Sequence, residues 1–147
     1  MPMIDVYAPS GSFSDPHSLA QQLARTLMTI EGVPEIPMFT QNTAAFVHEL
    51  PDRAVSNVDG DSACVRVQVL TNLGALDRAK QLAVVSQFTD LIKTARADTS
   101  TAERVWVLLT EAVDGGWGLN GHAHTNAELV DAARAQIAEL RLTRSRP

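Results

Sequence analysis

The second residue, Pro2, is the first that could do chemistry. An initiator methionine is commonly removed when proline follows it, and removal would leave Pro2 with a secondary amine in place of an amide. An exposed α-amine titrates near about 7.7–8.0, and burial lowers that by disfavouring the charged form. A base poised near the working pH is what general acid–base catalysis needs. The ring also fixes the direction of the nitrogen relative to the strand that follows. Against this stands a plainer role, since proline is tolerated at the edge of a first strand.

Few other side chains compete. His48 ends an apolar run and is either a proton donor or a satisfied surface histidine. Arg66 shares a strand face with Cys64; it either binds a carboxylate in a site or pairs with an acid at a subunit contact. Cys64 itself reads as a buried, inert thiol. His122 and His124 are two apart and fall on one side of an extended chain, but no third ligand is evident and no metal is expected. Trp117 stands among Gly115, Gly116, Gly118 and Gly121, which let the backbone bend tightly around an indole.

The elements that must position these residues can be read from periodicity. Met3 to Ala8 alternates as a strand, and Ser14 caps a helix that carries Leu19, Leu23, Leu27 and Ile30 and stops at Gly32 and Pro34. A connector over 37–42 leads to a second strand, Ala44 to Leu50. A polar, turn-rich stretch over 53–62 separates this unit from the next. Val65, Val67 and Val69 alternate in a third strand. Asp77 opens a second helix with Leu82, Val85, Phe88 and Ile92 inward, Val84 and Leu91 beside them. A loop over 97–102 precedes a fourth strand, Val105 to Thr110, and the glycines then bend the chain around Trp117. Thr125 and Glu128 form a capping box for a last helix to about Leu140. Arg141, Arg144 and Arg146 make a basic tail.

The order strand–helix–strand occurs twice, with Pro2 falling on Cys64 and Asp15 on Asp77, so the chain reads as an internal duplication. The expected class is α+β: two tandem βαβ units in a four-stranded sheet, two helices on one face, and a C-terminal helix. Residues 1–147 form one domain, with units over 2–52 and 63–121 and the C-terminal helix and tail over 122–147. The second sheet face, left bare, is expected to be covered by other copies of the chain.

Composition narrows the classes. The 147 residues are 45% hydrophobic and 20% charged, which suits one soluble globular domain. A net charge of −5 with basic residues clustered only in the tail gives nucleic acid little to bind. No run approaches the roughly 20 apolar residues of a membrane span, and no signal peptide is expected at the N-terminus. The single cysteine excludes an internal disulfide and suits a reducing compartment, so the cytoplasm is the expected location.

Two blocks resemble the tautomerase superfamily. One is Pro2 heading the apolar strand Met3-Ile4-Asp5-Val6-Tyr7, with a Gly/Ser turn before a helix. The sharper one runs from Val107 through Thr110-Glu111, Gly115, Trp117 and Gly118 to Gly121. It is similar to the end of the second strand in bacterial 4-oxalocrotonate tautomerases. Phe46 to Asp52 looks like the strand end of the macrophage migration inhibitory factor branch. The resemblance implies a homotrimer with a barrel-like core of sheets and no cofactor. It implies keto–enol proton transfer on a small enol or 2-oxo acid, with Pro2 as base and Trp117 lining the site.

The chain also departs from the pattern. Where the 4-oxalocrotonate enzymes carry carboxylate-binding arginines, it has about Ser12, Trp106 and about Ala44. Arg104, two positions before Trp106 and so on the same strand face, could substitute. With Arg66 and His48 it completes the expected substrate-binding set. The paired arginines of the dehalogenase and decarboxylase branches are missing from Thr71 to Ala75, which ranks dehalogenation, hydration and decarboxylation below plain proton transfer. The competing class is a non-catalytic trimer that uses the scaffold for binding.

Overall fold

A computed structural model describes residues 1–51, 53–97 and 104–144. Six strands and four helices follow in order: β1 (Met3–Pro9), α1 (Pro16–Glu31), α2 (Pro37–Thr40), β2 (Ala44–Leu50), β3 (Cys64–Asn72), α3 (Arg78–Ala95), β4 (Arg104–Ala112), β5 (Trp117–Leu119), β6 (His122–His124) and α4 (Asn126–Arg144). The main sheet has the order β2-β1-β3-β4. β1 runs parallel to β2 and β3 to β4, while β1 and β3 pair antiparallel with Val6 facing Val67. The fold is α+β, with the four-stranded sheet and the C-terminal helix expected. After Ala97, the loop expected over 97–102 lies outside the described residues, as do Asp52 and the tail beyond Arg144.

Alternation decides which side of each strand is buried. Ile4, Val6 and Ala8 on β1 and Val65, Val67 and Val69 on β3 all point to one face and are fully buried. Leu19, Leu23 and Leu27 of α1 and Val84, Phe88 and Ile92 of α3 cover them, each at a spacing of four. The expected stripe of α3 was turned too far: Leu82 and Val85 are exposed, and Val84 takes the inward position. The N-cap of α1 is also corrected. Asp15, not Ser14, accepts the Ser18 N–H at 2.9 Å, which frees Pro16 to occupy the first helical position. Asp77 does the same for α3 through the Lys80 N–H at 2.9 Å.

The two halves match in detail. Glu49 at the end of β2 accepts the Gly11 N–H (3.1 Å) in the turn after β1. Glu111 at the end of β4 accepts the Gly74 N–H (3.0 Å) in the turn after β3. Gly11 and Gly74 both adopt positive φ, 77° and 74°, where an L side chain is strained. The strand pairings set Ala8 beside Glu49 and Thr71 beside Glu111, so Ala8 corresponds to Thr71 and Ile4 to Val67, which puts Val65, and not Cys64 as the sequence spacing suggested, in the place of Pro2.

Among the described residues, no helix covers the opposite sheet face. That face presents Phe46, Leu70, Trp106 and Leu108, all exposed, around a polar row. Along that row His48 contacts Asp5 at 2.7 Å, Tyr7 stacks on His48, Arg66 lies over Tyr7, and Gln68 links Arg66 to Thr110. No helix is long and apolar enough to cross a membrane among the described residues.

Phe88 is fully buried between α3 and the sheet. Phe88→Ala is expected to destabilise the fold by about 3–5 kcal/mol, read as a lower urea midpoint at unchanged slope. A loss below about 1 kcal/mol would contradict this core.

Candidate active site at the buried N-terminus

The N-terminal end of β1 is inside the molecule. Met1 is 3% exposed and Pro2 is buried, with the Pro2 carbonyl accepting the Ala44 N–H at 3.3 Å. Met1 packs with Trp117 and Leu129, and Met38, Phe39 and Leu119 close around them. This small apolar cluster is separate from the core between sheet and helices. Beside it opens a cavity of about 430 Å3, lined by Met1, Glu31, Phe39, Leu73, Leu129 and Arg134 among others. Loss of Met1 would join its own space to that cavity and bring the Pro2 nitrogen to the wall.

The run after β4 delivers Trp117. Gly115 takes φ 81°, and the Gly116 N–H donates to Val113 O at 2.8 Å. A Cβ on Gly116 would lie 2.9 Å from that same carbonyl oxygen, so the bend requires glycine. The expectation of bends alone is corrected here, because β5 and β6 form an antiparallel hairpin. Asn120 and Gly121 turn it, both at positive φ (52° and 79°), as a two-residue primed turn demands.

The fourth helix closes the cavity. The Asn126 N–H donates to Asp114 (2.7 Å), its side-chain amide to Leu73 O (3.1 Å), and Gln136 accepts the Met38 N–H (2.8 Å). Thr125 and Glu128 form the expected capping box, with the Thr125 N–H donating to Glu128 at 2.7 Å. That N–H, and after it His122, hold the Glu128 carboxyl below its ordinary range.

Glu31 gives the cavity its charge character. It continues the Leu19, Leu23, Leu27 stripe of α1 and is 9% exposed, and neither carboxylate oxygen has a hydrogen-bond partner. Burial pushes its pKa up, against the opposing pull of the chain's amino group and of Lys80. The Lys80 ammonium is anchored on Glu31's own carbonyl oxygen at 2.9 Å. The amino group of Met1 is shifted the other way: burial lowers its pKa, and Glu31 partly offsets this. Amine and acid are thus each biased toward the neutral form while each stabilises the charged form of the other.

Of the residues singled out from the sequence, the structure brings Trp117 to the N-terminus. It does not bring Arg66, His48 or Arg104 there within one chain. Arg66 and His48 belong to the polar row on the helix-free sheet face. Arg104 pairs with Asp61 beside the start of β3, at the end of the sheet away from Met3. None of the three lines the cavity. Cys64 is buried, and burial raises its thiol pKa. His122 and His124 gain a third companion that the sequence reading lacked. Glu128 joins them, with one ligand atom from each residue all within 4.8 Å of one another, a donor set that could take a divalent cation. Glu31 and Arg134 were missed. The fourth place in a stripe of leucines was the available sign for Glu31; Arg134 gave none.

No family model matches the sequence, and no curated protein matches it. Solved structures do. The macrophage migration inhibitory factor from Oncomelania hupensis is similar over 100% of this chain and 99% of its own, with 18% identity and a TM-score of 0.66. A wild-type fused 4-OT designated F6, an asymmetric trimer, matches over 90% of this chain and 97% of its own at 20% identity and a TM-score of 0.64. A malonate semialdehyde decarboxylase matches over 88% and 97% at 17% identity and a TM-score of 0.63. The chain therefore has the fold of the tautomerase superfamily.

Gly116→Ala is expected to displace Trp117 from its pocket. In a Trp106→Phe background, which leaves one indole, the emission should move to longer wavelength as Trp117 meets water. An unchanged spectrum would mean that the bend tolerates a Cβ.

Proposed function

We propose that the protein is a tautomerase that transfers a proton between carbon and oxygen of a small enol or 2-oxo acid, with the processed Pro2 amine as base. The observation that carries this reading is the burial of the first two residues beside a cavity lined by Met1, Phe39 and Leu129, with Trp117 packed against Met1. A chain end is ordinarily solvated; one held inside, against an indole, suits a neutral amine. The secondary amine exchanges a proton with the substrate carbon, so no cofactor is needed. Trp117 and Leu129 exclude water and keep the amine's pKa low. Arg134 is the one arginine among the described cavity-lining residues, and it stands 75% exposed at the mouth, where a substrate carboxylate would meet it. The absence of paired arginines from Thr71 to Ala75 keeps dehalogenation, hydration and decarboxylation below proton transfer.

The active unit is proposed to be a homotrimer of single domains, each made of two tandem βαβ units. Exposed Phe46, Leu70, Trp106 and Leu108 on the helix-free face support it, as does the trimer formed by the similar fused 4-OT. In that assembly Arg66, His48 and Arg104 would meet neighbouring copies and could serve a site from there. One buried, unpaired cysteine suits the cytoplasm. The second reading, a binding protein on the same scaffold, draws on the internal partners that already hold Arg66, His48 and Arg104.

Three measurements separate the readings. Intact mass should show loss of Met1, and turnover of phenylenolpyruvate should fall on the acid side with a midpoint below the roughly 7.7–8.0 of an exposed α-amine. 2-Oxo-3-pentynoate, whose alkyne accepts a free amine by addition, should modify Pro2. A chain with one residue added before Pro2 should lose at least about 100-fold in kcat, the scale of one acid–base group. Retained Met1, with no modification and no turnover, would leave the binding reading. Light scattering should give the mass of three chains, and Leu108→Glu should reduce it; a monomeric wild type would overturn the assembly.

A further inference from the structure

We propose that Glu31 is the second proton-handling group of this site, the partner that serves the substrate oxygen while Pro2 serves the carbon. The proposal rests on the proline reading above and names what completes it. A base alone leaves the oxygen of an enol or carbonyl without a partner in an apolar cavity, and an unpaired developing charge there is costly. Glu31 is the residue built to meet that need. It is nine-tenths buried at the end of α1, lines the cavity with Met1, and leaves both carboxylate oxygens without a hydrogen-bond partner. A buried carboxyl with no partner is expensive to keep and is unexplained by packing. A substrate oxygen would satisfy it.

The proton balance closes within the pair. In ketonisation the pair holds one proton, and the reactive arrangement has it on the Pro2 amine with Glu31 ionised; a second proton, taken up on the acid side, stops the cycle. The Pro2 N–H bond breaks as a C–H bond forms, and the enol O–H bond breaks as its proton passes to Glu31. The carbon–carbon π electrons take up the proton at carbon, and the oxygen's electron pair becomes the carbonyl π bond. The pair ends as free amine and neutral acid, still holding one proton, and transfer from Glu31 to Pro2 resets it without exchange with solvent. The charges that face Glu31 fit this cycle. The Met1 amino group and Lys80, which is tied to the Glu31 carbonyl oxygen, both pull Glu31 toward its ionised form, and processing would leave the Pro2 amine as the chain's amino group. Arg134 on α4 borders the opening, where it pairs with Asp131. Glu31 and the Met1 amino group already influence each other's protonation, in the space that the Pro2 amine would border once Met1 is removed.

The test compares wild type with Glu31→Gln, which keeps the shape, and Glu31→Asp, which keeps the acid. Two readouts are taken: kcat and KM for phenylenolpyruvate, and the pH dependence of Pro2 alkylation by 2-oxo-3-pentynoate followed by intact mass. Glu31→Gln should lower kcat by about 100-fold, the scale of one acid–base group, with KM nearly unchanged. Its alkylation limb should move to lower pH, because removal of a neighbouring negative charge makes the amine easier to deprotonate. Glu31→Asp should keep more activity than Glu31→Gln. Both variants should melt no earlier than wild type by more than a few degrees, since neither removes a hydrogen bond made by the side chain. Wild-type kcat in Glu31→Gln, or an alkylation limb that stays in place, overturns the role of Glu31 while leaving Pro2 as base. A wild-type Pro2 that resists alkylation, with no turnover, overturns the proline reading and this one together.

Discussion

Burial of residues 1 and 2 is the constraint on which the arrangement depends. A chain terminus carries a charge and an unpaired donor, and water is its usual partner. Here β1 starts inside, because its inward residues Ile4, Val6 and Ala8 lie at the centre of the core and the strand cannot be raised without exposing them. Pairing on both flanks, with β2 and with β3, holds the register. The first residues are therefore delivered to a fixed place, and everything around that place is shaped to receive them. The β5–β6 hairpin brings Trp117, α4 brings Leu129, and α1 ends with Glu31 beside the amino group.

The duplicated half shows what is added at the site. At the far end of the sheet Cys64 and Val65 occupy the corresponding places, and no chain terminus arises there. Both halves keep the same strand-end carboxylate on the turn after the neighbouring strand, Glu49 on Gly11 and Glu111 on Gly74. Those shared contacts maintain the scaffold. Thr110 and Glu111, which the sequence resemblance singled out, belong to this structural set: Thr110 bonds Val69 O and Gln68, and Glu111 bonds Gly74. The part of that motif that reaches the site is its glycine-rich end, which turns the backbone at Gly116 and seats Trp117.

Much of this was legible in the sequence, for physical reasons. Strands show a period of two and helices a period near four, so Ile4, Val6, Val65, Val67, Leu19 and Leu23 disclosed both the elements and their buried sides. Errors fell where neighbouring residues compete for one role. Ser14 and Asp15 are both good caps, and only the backbone path gave the N–H of Ser18 to Asp15. Leu82, Val84 and Val85 are all apolar, and the sheet's position selected Val84. The Asn120-Gly121 pair signalled a hairpin, but flanks of three residues are too short for alternation to show. The cavity was hidden for another reason. Residues 31, 73 and 129 come from α1, the turn after β3 and α4, and no local pattern records that they meet.

The missing arginines take on a different meaning in this setting. Arginine stabilises negative charge on a substrate from a partly hydrated position, without taking or giving a proton. A buried carboxyl works differently. It is neutral when the cavity is dry and ionised only beside a cation, so its state follows that of the amine it faces. The cavity here holds Glu31 inside and Arg134 at the rim. On the proposed reading that order puts proton chemistry in the low-dielectric interior and leaves charge recognition to the exposed mouth, where desolvation costs least. A substrate with one carboxylate can satisfy both zones by keeping its charge at the mouth. A second carboxylate would have to enter beside Glu31, against burial and like charge together. On the proposed reading, dicarboxylates are thus disfavoured by what lies inside the cavity as well as by the missing arginines.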